Sequence, residues 1–382
     1  MPLNILNLPP ELLSEITRNV ISRKDLCQLR SVNLFFDTLA TPEIFKSITV
    51  CNNAKSTERF WTILHTPHVA QHVQYIKFYE SGQTMAEREV RKRIEAAFSL
   101  LHQTPCLKTL DLYFNAYYEE ISTSAHPCAE MAHSHQWDIV FALGSNRNPL
   151  RELRSLTFSG WLGATKFGSF FDEAPIARLT ASLRHLGFSL PESSRGMAKW
   201  GARELYWKQV VVPRVLKPAV NLLESLSIVR SRAWQEVQYL DASQIPTYPR
   251  LAALSLRNVI WEEGTIGEGN IVTPSPLEEF IVRHSKTLKK LELRHCSICV
   301  KERFEPPLTY WADIYKRLAK ALTELVELEV EFDIKGRLER PYVYNPHNFY
   351  SSVESLDGTR RDALALEEFK AVVKIRGMGS RR

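Results

Sequence analysis

Two clusters of side chains in this chain have the composition of chemical sites. Cys296-Ser297-Ile298-Cys299 has metal or redox spacing, and His126, Cys128, His133 and His135 crowd four potential ligands into one short stretch. A structural zinc site takes four ligands, usually from two such pairs. No second Cys-x-x-Cys occurs, and the histidine spacing fits no standard signature. Gly264-x-x-Gly267-x-Gly269 is glycine-rich but lacks the preceding strand and the Lys-Ser/Thr of a phosphate loop. No Gly-x-Ser-x-Gly elbow is present. No catalytic residue, metal ligand or cofactor is therefore assigned. A metal-dependent hydrolase built on His126–His135 is carried only as a remote alternative.

The elements that must position any site begin with three short helical patterns in the first fifty residues. Pro9 and Pro10 suit a first helical turn, where a missing N–H costs nothing. Leu12, Leu13, Ile16 and Val20 then recur at helical spacing. Ser22 with Asp25 three residues on has the form of a capping box, opening a helix with Leu26, Leu29 and Val32. Asn33 opens a third carrying Phe36 and Leu39, and Thr41-Pro42 is read as the cap of a further short turn. So few residues cannot bury a self-sufficient core, so leftover apolar surface is expected to meet a partner.

The order Leu-Pro-x-Glu-Leu-x-x-x-Ile, then Asp-Leu-x-x-Leu-Arg-x-Val-x-x-x-aromatic, resembles an F-box over residues 3–47. Phe36 stands where many members carry Trp and is still a large aromatic plug. The resemblance implies docking to the Skp-family adaptor of a cullin–RING ubiquitin ligase. Its contact candidates here are Leu8, Pro9, Leu12, Leu13, Ile16, Leu26, Leu29, Val32 and Phe36. A few buried aliphatic and aromatic anchors would supply most of the affinity. Some of the nine must be core in any case, and sequence leaves open which.

The rest of the chain repeats itself. Leu-x-x-Leu-x-apolar occurs at Leu107-Leu110-Leu112, Leu153-Leu156-Phe158, Leu183-Leu186-Phe188, Leu223-Leu226-Ile228, Leu251-Leu254-Leu256, Leu288-Leu291-Leu293 and Leu325-Leu328-Val330. Independent placement would give about 1.6 occurrences. Looser versions end at Val50 and Phe78. Helical patterns fill the intervals at Arg88–Leu101, Trp137–Leu143, Val210–Leu223 and Trp311–Leu325. Short strands alternating with helices imply a parallel sheet, here a solenoid. The array resembles the degenerate leucine-rich repeats of fungal F-box proteins, and the two parts stand in the order that family uses.

The expected fold is therefore α/β. A small all-α F-box-like module spans 1–47, and an irregular leucine-rich-repeat solenoid spans 48–334, with parallel strands and helices on the outer side. A loop-rich segment, 335–382, includes a closing helix over Ala363–Val373. Loops are expected at Tyr117–Gln136, Pro191–Ala202 and Glu262–Pro276. Strand alternation turns the marker residues inward and their neighbours to the open face. The substrate-facing candidates are Asp111, Tyr113, Thr157, Ser159, Gly187, Ser189, Ser227, Val229, Ser255, Arg257, Glu292, Arg294, Glu329 and Glu331. The row is small in the middle and acidic at its carboxy-terminal end.

Composition bounds the rest. Of 382 residues, 44% are hydrophobic and 24% charged, as in a globular protein, and no apolar run reaches the length of a membrane span. Net charge is +6, but the basic excess leans on the tail rather than on a nucleic-acid-binding module, so neither nucleic acid nor membrane is an expected partner. Scattered cysteines suit a reducing compartment, and charged residues through the first thirty positions leave no secretory signal there. The expectation is a non-enzymatic, cytoplasmic or nuclear recruiting subunit. It would bind the adaptor through its first helices and a protein substrate on its repeats. The alternative is a repeat scaffold with no ubiquitin role.

Overall fold

A computed structural model describes residues 8–80, 88–114, 127–145, 150–160, 174–190, 207–230, 242–266, 272–300, 307–331, 342–344, 351–352 and 356–379. The chain is α/β, with a parallel sheet of nine strands. It divides into two compact units, Met1–Asn115 with His135–Leu156, and Ala116–Ser134 with Thr157–Arg382.

The first unit opens with α1 (Pro10–Arg18), α2 (Arg23–Arg30) and α3 (Leu34–Phe45). Ser22 accepts the Asp25 N–H and Asn33 accepts the Phe36 N–H, so both N-caps fall where the sequence puts them. Thr41-Pro42 does not open a new turn. α3 runs through it, and the Thr41 hydroxyl donates to Asp37 at 3.2 Å. Then follow β1 (Ser47–Cys51), α4 (Ala54–Leu64), α5 (Pro67–Ala70), β2 (Tyr75–Tyr79), α6 (Arg88–Ser99) and β3 (Thr109–Tyr113). Residues 127–136, expected as loop, instead belong to α7 (Pro127–Ser145), whose Trp137, Ile139, Val140 and Leu143 are buried. Pro127 fits a first turn, and burial of the later residues holds the helix. β4 (Ser155–Ser159) begins in this unit and ends in the other.

The second unit continues with α8 (Ala174–Ala181), β5 (His185–Leu190), a π-helical segment over Trp207–Leu216, β6 (Ser225–Arg230), β7 (Ala253–Arg257) and β8 (Ile260–Glu262). Next are β9 (Thr265–Ile266), β10 (Val272–Thr273), α9 (Pro276–Arg283), β11 (Lys290–Arg294), β12 (Ser297–Val300) and α10 (Trp311–Ala321). β13 (Glu327–Glu331), β14 (Tyr342–Tyr344), β15 (Ser351–Ser352) and α11 (Leu356–Gly379) complete it. Two expected loops carry strands. Glu262–Pro276 contains the antiparallel pair β9–β10, and the segment before α11 contains β14 and β15. The Pro191–Ala202 loop lies outside the described residues.

The last apolar residue of each repeat, taken as its marker, sits in a strand, and backbone chemistry recurs at fixed offsets from it. Four residues before the marker, one carbonyl accepts two N–H groups from the next strand's entry. In the first unit Lys46 accepts Gln74 and Tyr75, Gln74 accepts Lys108 and Thr109, and Lys108 accepts Arg154 and Ser155. In the second unit Arg184 accepts Glu224 and Ser225, Glu224 accepts Ala252 and Ala253, Ala252 accepts Lys289 and Lys290, and Lys289 accepts Val326 and Glu327. Two residues after the marker, Gly160, Asn258 and His295 all have positive φ. Asn tolerates that region better than most residues, and Gly enters it without strain. The Asn258 N–H reaches the Arg294 carbonyl and the His295 N–H the Glu331 carbonyl, both at 2.8 Å.

The inward residues two before the markers stack in register. In the first unit Ile48 faces Ile76, which faces Leu110. In the second, Leu226, Leu254, Leu291 and Leu328 form one row. The turns at Asn258 and His295 then launch β8 and β12, which with β14 and β15 build a second, four-stranded sheet. α11 clamps both ends of α10. Asp362 accepts the Ala312 N–H at 2.8 Å, and Arg376 donates to the Ala319 and Leu322 carbonyls at 2.9 and 2.6 Å. Opposite charges thus meet opposite ends of the helix dipole.

Candidate functional site

The three opening helices divide their apolar residues sharply. Leu26, Ala40 and Ile44 form a small core with Val20 and Phe45 against it, and Leu13 and Phe36 are also buried. Arg30 ties α2 to α3 through Asp37, whose carboxyl it holds below the usual carboxylate range, and its guanidinium lies 5.7 Å from the Phe45 ring centre. Outside this core stand Leu12 at 52% exposure, Ile16 at 44%, Val32 at 63%, Leu34 at 80% and Phe35 at 39%, with Ile21 fully open. Leu12 and Ile16 are four residues apart and share one helix face.

Of the nine proposed adaptor contacts, Pro9, Leu12, Ile16 and Val32 are exposed and Leu8 and Leu29 half-buried. Leu13, Leu26 and Phe36 are interior side chains and are withdrawn as contacts, because three helices this short need them to cohere. Ile21, Leu34 and Phe35, outside the nine, are exposed as well. Their signal was in plain view: three apolar residues flanking the ends of helices whose apolar stripes were already accounted for.

On the sheet, the other candidates line up as alternation requires. In the first unit, Lys77 sits 5.0 and 4.8 Å from the ring centres of Tyr79 and Tyr113, which stack 4.8 Å apart. The Tyr75 hydroxyl donates to Asp111, and burial with that acceptor raises its pKa. In the second unit, Thr157, Ser159, Ser189, Ser227, Val229 and Ser255 are half-buried, and Thr157 fills the space a Cβ on Gly187 would need. Glu292 lies on the open face but is covered by its neighbours. It is 7% exposed, held between Arg257 at 2.7 Å and Arg294 at 2.5 Å. Arg294 also reaches Glu329 and, at 3.7 Å, Glu331. Glu327, Glu329 and Glu331 are exposed. Beside them Lys290, Val326, Leu328, Lys370, Val373 and Lys374 help line a pocket of about 350 Å³.

Of the metal and redox candidates, Cys296, Cys299 and His135 are buried. Cys296 is buried, its thiol donates to the Leu256 carbonyl at 3.4 Å, and burial pushes its pKa up to about 12. His135 is buried, and burial with the nearby Arg91 charge brings its pKa down to about 4. The side chains of His126, Cys128 and His133 lie outside the described residues. Among the described residues no three His, Cys, Asp or Glu side chains gather as a metal site. A Cβ on Gly264 would fall 2.3 Å from the Thr273 carbonyl oxygen, so this glycine serves close strand approach. Gly267 and Gly269 lie outside the described residues. Among the described residues no helix is long and apolar enough to cross a membrane.

No family model matches the chain, and no curated protein matches it. Among solved structures it is similar to D-psicose 3-epimerase with D-tagatose from Clostridium cellulolyticum H10. The identity is 9%, covering 86% of this chain and 99% of that one, with a TM-score of 0.20. A likeness that slight carries no argument about fold or function.

Proposed function

We propose that this protein is the substrate-recognition subunit of a Skp–cullin–F-box ubiquitin ligase, working in the cytoplasm or nucleus. Its opening helices would dock the adaptor, and its strand array, an irregular leucine-rich-repeat solenoid with helices outside, would hold a target protein. The observation that carries this is the unburied apolar set Leu12, Ile16, Ile21, Val32, Leu34 and Phe35 on a module that already has a core. Side chains of that kind on a small domain would serve as the anchors of an interface. The recurring backbone device at each strand entry supports the repeat half of the reading. The protein itself would make no bond. It would raise the effective concentration of target beside the ligase.

The test is adaptor capture. Wild-type protein should retain a purified Skp-family adaptor, and Leu12→Asp/Ile16→Asp should lose it while keeping its circular dichroism and unfolding midpoint. Wild type that fails to bind leaves the scaffold alternative in its place.

A further inference from the structure

The strand array stops at β13 without the partner that every earlier strand has. At Lys46, Gln74, Lys108, Arg184, Glu224, Ala252 and Lys289, each four residues before its marker, the carbonyl accepts two N–H groups from the next strand's entry. In the last repeat that carbonyl belongs to Val326; among the described residues no strand N–H reaches it, and the Gly377 backbone of α11 lies beside it, so the strand edge is open from Glu327 onward. Among the described residues β13 pairs with β11 alone. Its inward residues are also left partly uncovered: Leu328 and Val330 are half-buried, whereas Leu291 and Leu293 are 0% and 1% exposed.

An open strand edge is a template for one more strand. The chemistry of that strand can be read from the neighbour β13 already has. Lys290, Glu292 and Arg294 of β11 lie opposite Glu327, Glu329 and Glu331, with Lys290 Nζ 3.0 Å from Glu327 and Arg294 bonded to Glu329. Those three carboxylates, though paired toward β11, keep about half or more of their side-chain surface exposed (64%, 48% and 53%). On the other face of the strand Val373 of α11 offers an apolar wall, with Lys370 and Lys374 beside it. Lys370 is already engaged by Glu367 at 2.9 Å.

We propose that the β13 edge takes an extended segment of a partner polypeptide as a tenth strand, and that this segment carries Lys or Arg at alternate positions with small aliphatic residues between. As a statement about the ligase's substrate it rests on the function proposed above; as a statement about binding it stands on the edge itself. Opposite charges directly across a ladder stabilise and like charges oppose, so sequence alternation, and not charge alone, sets the affinity.

The probe is a fluorescein-labelled Lys-Val-Lys-Val-Lys-Val-Lys peptide, followed by anisotropy on the full chain. Binding should be saturable and should weaken with salt. A Glu-Val peptide of the same length should not bind. Two further peptides carry N-methyl groups on alternate backbone amides, one on the Lys frame and one on the Val frame. A strand turns alternate amides to opposite edges, so one frame should lose at least about tenfold and the other should bind as the parent does. Glu327→Gln/Glu331→Gln, which leaves the Glu329–Arg294 bond in place, should bind several-fold more weakly. No binding by the Lys-Val peptide, equal binding by both methylated frames, or equal binding by the Glu-Val peptide each overturns the proposal. Adaptor capture is read separately through Leu12 and Ile16, so failure of either hypothesis is seen without the other.

Discussion

Leu12 and Leu254 are the same side chain in opposite circumstances. Leu12 stands 52% exposed on α1, and Leu254 is 1% exposed between Leu226 and Leu291. The opening helices hold nine, eight and twelve residues and can cover only a handful of side chains. The strands of the second unit cover one another, because each inward residue stacks on the same position of its neighbours. Full burial of one such leucine is worth about 2 kcal/mol. An array gathers that repeatedly, and a three-helix module cannot. Apolar surface left open is thus a consequence of size in the first region, and its position is what natural selection could use.

The contrast extends to charge, where the largest effect is expected. Glu278 in the second unit is 1% exposed and takes two bonds from Arg317, at 2.6 and 2.8 Å. Arg317→Ala strands that carboxylate and should cost about 4 kcal/mol in urea unfolding. The module's Arg18–Glu15 pair spans 3.9 Å with both side chains 65% exposed, and Arg18→Ala should leave the midpoint unmoved. Equal effects at the two sites would erase the distinction drawn here.

Leu291→Ala probes the stacked row directly. It removes a fully buried side chain from a ladder position and should cost about 3 kcal/mol in the same measurement. A loss below about 1 kcal/mol would mean the row relaxes around the gap, and that the array is not the rigid object its register implies.

The repeat was legible because Leu-x-x-Leu-x-apolar is both a sequence pattern and a physical one: period-two burial followed by a fixed turn. Nothing comparable announced β8 or β12. Ser297–Val300 is buried at every position, so alternation is absent, and Ile260–Glu262 is too short to show a period. Their cue was the parallel between Arg257-Asn258-Val259 and Arg294-His295-Cys296, whose second residues share a φ near +55° (56° and 54°). Within the opening helices, sequence could place the stripe Leu12, Leu13, Ile16 but not decide that Leu13 turns in while Leu12 turns out. That choice depends on where α3 lies, which no local pattern states.

His135 shows that the first unit can bury polar groups too, outside the opening helices. Its pKa falls from the usual 6.5 to about 4, chiefly by burial and then by Arg91. The unfolded chain therefore takes up a proton between pH 6.5 and 4 that the folded chain refuses. Stability from this group is complete above pH 6.5 and is lost as the pH falls toward 4. The loss should be on the order of 3 kcal/mol. His135→Leu should flatten the unfolding midpoint across that window, and an unchanged slope would place the acid sensitivity elsewhere.

A small stability effect is expected where an apolar side chain on a helix is mostly exposed. Leu34 is 80% exposed at the start of α3, one residue after the Asn33 cap. Leu34→Gln keeps helix propensity close to that of Leu and removes no buried contact, so it should shift stability by less than about 0.5 kcal/mol. Adaptor capture should nevertheless weaken, because the substitution puts an amide where an apolar anchor would be desolvated. Calorimetry of the variant against the adaptor reads the second quantity, and urea unfolding reads the first. A variant that unfolds early would show that Leu34 serves the molecule's own cohesion. A variant that folds and binds like wild type would remove Leu34 from the interface while leaving Leu12 and Ile16 to carry it. Only the combination of intact folding and weakened capture fits a module that holds together with one set of apolar residues and presents another.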